Sequence, residues 1–245
     1  LMERVQGVIF RAAPPTGLSL SDDEARRCCE SFVDNLAALH AVDYETAGLS
    51  GLRREGSYVE RQVHGWARRY AGSQTDPIPR IDETALWLER EMPADTGAVL
   101  IHNDYKFDNI VLDPADVTRV IGVLDWEMAT IGDPLMDLGA TLGYWIEKDD
   151  APAFQIVRSF ITGSPGSLSR KQVAERYLRQ SGRTVDSLLF YYIFALFKLA
   201  VICQQIYYRY AKGLTQDERF AGMIDLVRLL GDRSAEAIGK NDIEP

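Results

Sequence analysis

Positive charge is in short supply: 27 lysines and arginines face 36 aspartates and glutamates, leaving a formal net charge of −9. A chain so balanced lacks the basic face that a nucleic-acid backbone demands, so nucleic acid is not expected as a partner. An acidic surface suits a cationic ligand, yet it also serves solubility alone, which is the simpler reading. Histidine is equally scarce, with only His40, His64 and His102, too widely spaced for a His-rich zinc site. The three cysteines, Cys28, Cys29 and Cys203, are odd in number and include an adjacent pair. They make no disulfide framework and read as reduced thiols of a cytoplasmic protein. No secretory signal pattern opens the chain. Its most apolar run, Leu188 to Ile206, carries Lys198 at its middle and Gln204-Gln205 near its end. Those residues are costly in lipid, so the run is expected to be a buried core helix and no membrane is implied. There is neither a G-x-S-x-G elbow nor a G-x-x-x-x-G-K-[ST] phosphate loop. Internal repeats and low-complexity segments are absent as well. What remains, at 245 residues, is an ordinary globular composition with material for one large domain or two small ones.

Against these absences one stretch stands out, Val99 to Leu138. The apolar run Val99-Leu100-Ile101 breaks into His102-Asn103-Asp104. Asn109 follows, then the apolar run Ile110-Val111-Leu112 and a turn at Asp113-Pro114. A third run, Val120 to Leu124, ends in Asp125. Polar side chains therefore sit where short buried strands are expected to run out, a common place for chemistry on a rigid scaffold. Any one such Asp or Asn is ordinarily a turn former or a cap. Taken together they offer only oxygen ligands and one possible base. Hard oxygen donors suit Mg²⁺, which usually takes one or two carboxylates together with substrate phosphates and water. A carboxylate accepting a hydroxyl proton, with an Asn and an Asp on the metal, is the arrangement of kinase-type phosphoryl transfer. His102-Asn103-Asp104 through Asn109 matches the spacing of the H-R-D-x-x-x-x-N loop, with Asn103 in place of Arg. A glycosidase with Asp104 and Asp125 as its two carboxylates is the enzymatic alternative. That reading leaves Lys106 and Asn109 unexplained.

The stretch resembles the catalytic core of the aminoglycoside phosphotransferase and choline kinase family, small-molecule relatives of protein kinases. The segments LDWE and IGDPLMDL most resemble the phosphotransferase-like domains fused to acyl-CoA dehydrogenases. The resemblance implies Asp104 as catalytic base, Lys106 as a lysine that steadies the transferring phosphate, and Asn109 and Asp125 as metal ligands. It further implies that Asp137 is a buried carboxylate bonded to the loop backbone; His102 is read as orienting the loop by side-chain hydrogen bonding. The expected reaction is transfer of the γ-phosphate of ATP, or GTP, to a hydroxyl of a small molecule, with Mg²⁺. Two departures stand out. Asn103 occupies a position where the family usually has Gly, and Trp126-Glu127 replaces the Phe-Gly that follows the metal Asp in protein kinases. They keep open a rival in which a catalytically degenerate fold binds nucleotide or ligand without turnover.

By the same resemblance, residues 1–10 are read as the hinge leaving an N-terminal lobe that this chain lacks. The backbone at Glu3 and Val5 would bind the adenine edge; an ordinary edge strand is the plainer alternative. Residues 11–245 then form a helical C-terminal lobe with its catalytic core at 99–138. A capping box, Ser21 to Glu24, opens a helix to His40 whose apolar positions recur at helical spacing. His40 is read as a dipole partner or core polar residue. Further helices are expected at 58–70, 82–91, with Leu86 and Trp87 on the core face, 134–146, 151–161, 170–180, 185–212 and 216–230. Arg68, Arg69 and His64 are read as a solvated face before an anion site. Residues 232–245 are expected to fray. The fold class is α+β, mainly α-helical, like the C-terminal lobe of a protein-kinase-like fold.

Overall fold

Ser21 accepts a hydrogen bond from the Glu24 N–H while the Glu24 carboxylate accepts one from the Ser21 N–H, so the reciprocal cap forms. It starts α1, Asp22–His40, which buries Ala25, Cys28, Cys29, Phe32 and Leu36 along one face. The computed structural model describes residues 4–15, 17–155 and 158–245. Helix α2, Tyr58–Ala71, is capped by Ser57, and α3, Pro79–Arg90, starts on Pro79. The strands β1, Val99–Ile101, β2, Ile110–Leu112, and β3, Val120–Val123, fall on the three apolar runs. A further strand, β4, Thr130–Gly132, leads to α4, Pro134–Tyr144, whose N-cap is Asp133. Then come α5, Pro152–Gln155, α6, Arg170–Ser181, α7, Leu189–Ala211, and α8, Met223–Lys240.

These elements divide into two compact units. The first takes the chain up to Arg53, Gly97–Asp186 and Glu244–Pro245, and it holds the whole of 99–138. Its core is aromatic, with Phe32 stacked on Phe107 at 4.3 Å and Trp145 at 5.7 Å from Phe107. Tyr105, fully buried, points its hydroxyl at Phe32 O and Asn35 Oδ1, each 3.0 Å away. Arg176 on α6 forks onto the Asp34 carboxylate of α1 with two contacts of 2.7 Å, fixing α6 against α1. The second unit, Arg54–Thr96 and Ser187–Ile243, is built on α7, long and apolar enough to span a bilayer by length and composition alone. Most of α7 is buried within the protein, Gln204 donates to Ser73 O at 2.8 Å, and Lys198 lies 5.8 Å from the Trp66 ring. It is the core helix of that unit.

Several boundaries differ from the sequence reading, each for a physical reason. The stretch 151–161 is not one helix: α5 ends at Gln155, and Phe160 N donates to Arg11 O, a partner outside any helix. Residues 156 and 157 lie outside the described residues. The stretch expected as a helix at 216–230 opens instead with a 3-10 turn, Glu218–Phe220, capped by Asp217, which accepts from the Arg219 N–H. The helix proper starts at Met223 and runs on to Lys240, where fraying was expected. It persists because Ser234 and Ala237 are buried and Arg233 bonds Tyr192 Oη and Ile243 O. On α3 the buried positions are Ile81, Thr84 and Leu88, a phase that turns Leu86 outward at 66% exposure.

Gly166 shows how tightly the first unit is drawn together. Its φ is +80°, and a Cβ there would lie 2.1 Å from Asp22 O, a backbone atom. Gly166→Ala is therefore expected to cost more than about 1 kcal/mol, with a fall in melting temperature of at least roughly 2 °C. Calorimetry of the variant checks this.

Candidate active site

Two short antiparallel ladders create the site. Pairing of Ile101 with Thr130 in β1–β4 sets His102 beside Ala129. Pairing of Ile110 with Val123 in the β2–β3 hairpin sets Asn109 beside Leu124, and Leu124 N donates to Asn109 O at 2.8 Å. The loop 102–109 and the segment 124–129 are thus fastened together at both ends. Register fixes this approach, because a one-residue slip would turn every strand side chain to the opposite face.

Asp104, Lys106 and Asn109 meet on the first of these loops. Lys106 Nζ lies 2.8 Å from Asp104 Oδ2 and 3.0 Å from Oδ1, with its other side 4.7 Å from the Tyr144 ring. Asn109 Nδ2 donates at 2.9 Å to both Asp104 Oδ2 and Asp104 O. The amide nitrogen is thereby used, and the Asn109 Oδ1 lone pairs are left for another partner. Asp125 follows Leu124 at the end of β3, one residue past the bond from Leu124 N to Asn109 O, and it is exposed, with φ +66° and ψ +54°. A non-glycine residue in the left-handed region is uncommon and tends to mark a functional site. The oxygen-only donor set of Asn109 and Asp125 fits a hard cation such as Mg²⁺. Among the described residues no group of three or more His, Cys, Asp or Glu gathers for a metal.

Below the loop sits a carboxylate anchor. Asp137, fully buried on α4, accepts from His102 N and from Asn103 N, each at 2.7 Å. His40 Nε2, at 3.1 Å, also bonds Asp137, and His40 Nδ1 is 2.6 Å from Tyr177 Oη. Burial opposes the charged form of Asp137, but the His40 bond and charge, with the two N–H donors, hold the group below the usual Asp range. Burial pushes the Tyr177 hydroxyl well up. His40 and Tyr177 were not legible as site residues in the sequence. The one available signal was a histidine closing an amphipathic helix on its buried face.

His102 is fully buried, and its hydrogen bonds select one tautomer. Leu124 O can only accept, so Nε2 donates to it at 2.8 Å, and Nδ1 then accepts from Asp104 N at 3.3 Å. The expected hinge residue Glu3 lies outside the described residues. Val5 is 43% exposed, and its Cγ1 would lie 3.5 Å from a Cβ built on Gly122 of β3. Val8 pairs with Leu112 as an isolated bridge, and a Cβ on Gly7 would meet Val111 Cγ1 at 2.3 Å. Residues 5–8 therefore run along the β2–β3 hairpin. In the second unit, His64 faces Glu89 at 4.0 Å and Arg69 covers the Trp66 ring at 4.4 Å, in keeping with a solvated face.

A mainly helical body carrying a polar loop between two small ladders is the architecture of protein-kinase-like phosphotransferases. A Ralstonia eutropha protein described as a candidate aminoglycoside phosphotransferase superposes with a TM-score of 0.85 at 27% identity, over 98% of this chain and 72% of that one. Choline kinase from Cryptosporidium parvum shares the fold, with a TM-score of 0.62 at 12% identity over 98% of this chain and 71% of its own. The phosphotransferase enzyme family model, APH, matches residues 1–185, and the chain belongs to that family. Acyl-CoA dehydrogenase family member 11 of Rattus norvegicus is 35% identical over 223 residues, 89% of this chain. The chain spans only 28% of the length of that relative.

Proposed function

We propose that this chain is the larger, C-terminal lobe of a small-molecule kinase that moves the γ-phosphate of ATP, or GTP, to a hydroxyl. The observation that supports the reading is the bonded trio Asp104, Lys106 and Asn109, with Asn109 joined through Leu124 N to the segment that carries Asp125. Asp104 orients the acceptor hydroxyl and takes its proton, with Lys106 and Asn109 fixing the carboxylate in one orientation. Lys106, anchored between Asp104 and the Tyr144 ring, also places a positive charge for the transferring phosphate. Asn109 and Asp125 would hold Mg²⁺ through their side-chain oxygens. When bound, the ion supplies charge neutralisation across the phosphates. Residues 1–10 serve as the hinge, with the backbone at Glu3 and Val5 on the adenine edge, and an N-terminal lobe completes the nucleotide site. The protein works in the cytoplasm on a small molecule, without nucleic acid or membrane.

The test uses the full-length protein and follows Mg²⁺-dependent consumption of ATP and of GTP. Acceptors are a panel of aminoglycosides, amino alcohols and hydroxyacyl compounds. Turnover that requires one acceptor class establishes the kinase and names its substrate. Nucleotide binding with no turnover across the panel would favour a binding module instead. Removal of the metal ligand gives a second expectation. Asp125→Ala is expected to abolish the Mg²⁺-dependent part of nucleotide affinity, a loss of about tenfold or more, read by titration calorimetry with and without Mg²⁺. Unchanged Mg²⁺ dependence would remove Asp125 from the metal.

A further inference from the structure

The Asp125 carboxylate forms no hydrogen bond or ion pair with any described residue. Its position is set by the backbone on either side, and that backbone is unusual. Asp125 is left-handed, and the residues after it form the tight turn Trp126–Met128, closed by Ala129 N on Trp126 O at 3.0 Å. Side-chain donors grip the segment's carbonyls. Trp126 Nε1 reaches back to Val123 O at 2.8 Å, before Asp125. His102 Nε2 takes Leu124 O, the residue just before it. Asn103 Nδ2 takes Met128 O at 2.9 Å, the end of the turn beyond it.

We propose that Asn103 is a positioning residue for Asp125: its side-chain amide clamps the Met128 carbonyl and so sets where the carboxylate meets the metal. The proposal rests on the reading that Asp125 holds Mg²⁺. The backbone at this position has φ +68°, which glycine adopts freely and asparagine tolerates better than other side chains. Glycine would satisfy the chain geometry but would leave Met128 O without this donor. Asparagine satisfies both. Its own backbone N–H is pinned on Asp137 Oδ1, so the clamp is referred to the same buried carboxylate that holds the loop of Asp104. Through His102 and Asn103 the candidate base and the candidate metal ligand share one fixed point.

Asn103→Gly tests the clamp within an intact fold, because it keeps the left-handed backbone and removes the side-chain donor to Met128 O. Asn103→Asp is the second variant, close in size and tolerant of the same φ, but unable to donate to a carbonyl when ionised. Three readouts are made on the full-length protein. They are the melting temperature, amide exchange across 124–130 without metal or nucleotide, and Mn²⁺ affinity by electron paramagnetic resonance with a non-hydrolysable ATP analogue. Both variants are expected to exchange faster across 124–130 and to bind Mn²⁺ roughly three- to tenfold more weakly. Melting of the glycine variant is expected to stay near that of the wild type. Exchange and Mn²⁺ affinity equal to wild type in both variants would overturn the proposal while leaving the kinase reading intact. A melting temperature that falls in step with Mn²⁺ affinity would make Asn103 structural only and overturn it too. Wild-type protein that binds the analogue but no Mn²⁺ would remove the metal from Asp125, and the positioning role with it.

Discussion

Replacing Asp104 by alanine is expected to lower turnover by about 10² to 10⁴-fold, the range typical for loss of a positioned proton acceptor. Nucleotide and Mg²⁺ binding should survive, and the structure says why. Asn109 Nδ2 bonds the Asp104 main-chain carbonyl as well as the carboxylate, each at 2.9 Å. Truncation removes one bond and leaves the other, so Asn109 keeps its tether and its Oδ1 orientation. Lys106 loses its ion pair but keeps the Tyr144 ring at 4.7 Å. Steady-state kinetics should therefore show kcat collapsing with little change in nucleotide KM. Calorimetric nucleotide affinity within a few-fold of wild type is the companion result. Full activity in this variant would take the base role away from Asp104.

Asp137→Ala should act on stability first. The change strands His102 N, Asn103 N and His40 Nε2 in a fully buried site, and breaking a buried charged network in this way costs about 3–5 kcal/mol. The effect has a pH signature. Asp137 is held below the ordinary Asp value in the folded protein, so its contribution is complete above the unfolded pKa of about 3.9. It fades as pH falls through the lower folded value. The stability gap between wild type and variant, read from denaturant midpoints, should narrow below about pH 4. A gap that widened on acidification would mean that the carboxyl is protonated in the native state.

Legibility in the sequence followed the range of the interactions. His102, Asp104, Asn109 and Asp125 could be picked out because apolar runs frame them and the spacing between them is local. The three framing runs did become β1, β2 and β3. The partner of β1 could not be read, since Thr130–Gly132 is a strand only through its pairing with Val99–Ile101. The His40–Asp137–Tyr177 anchor was hidden for a similar reason. It joins residues 97 and 137 positions apart, and a lone His or Tyr on a helix has many unremarkable uses. Helix boundaries failed where a cap pattern served something shorter, as at Asp217. Asn103 is instructive in a different way. As a letter it reads as a departure from the family's glycine, but its φ of +68° and its bond to Met128 O turn the departure into a fitted residue.

The anchor beneath the loop also sets an order of events during synthesis. His40 ends α1, and Tyr177, which completes its bonding, is 137 residues further on. At a translation rate of about 5–20 residues per second, the first helix waits roughly 7–27 s for that partner. During the wait the face carrying Cys28, Phe32 and Leu36 has no complete core to enter, since Phe107, Trp145 and Val173 are also still to come. A nascent chain in that state is a natural client for chaperones that shield amphipathic helices, and slowing synthesis would lengthen the exposure.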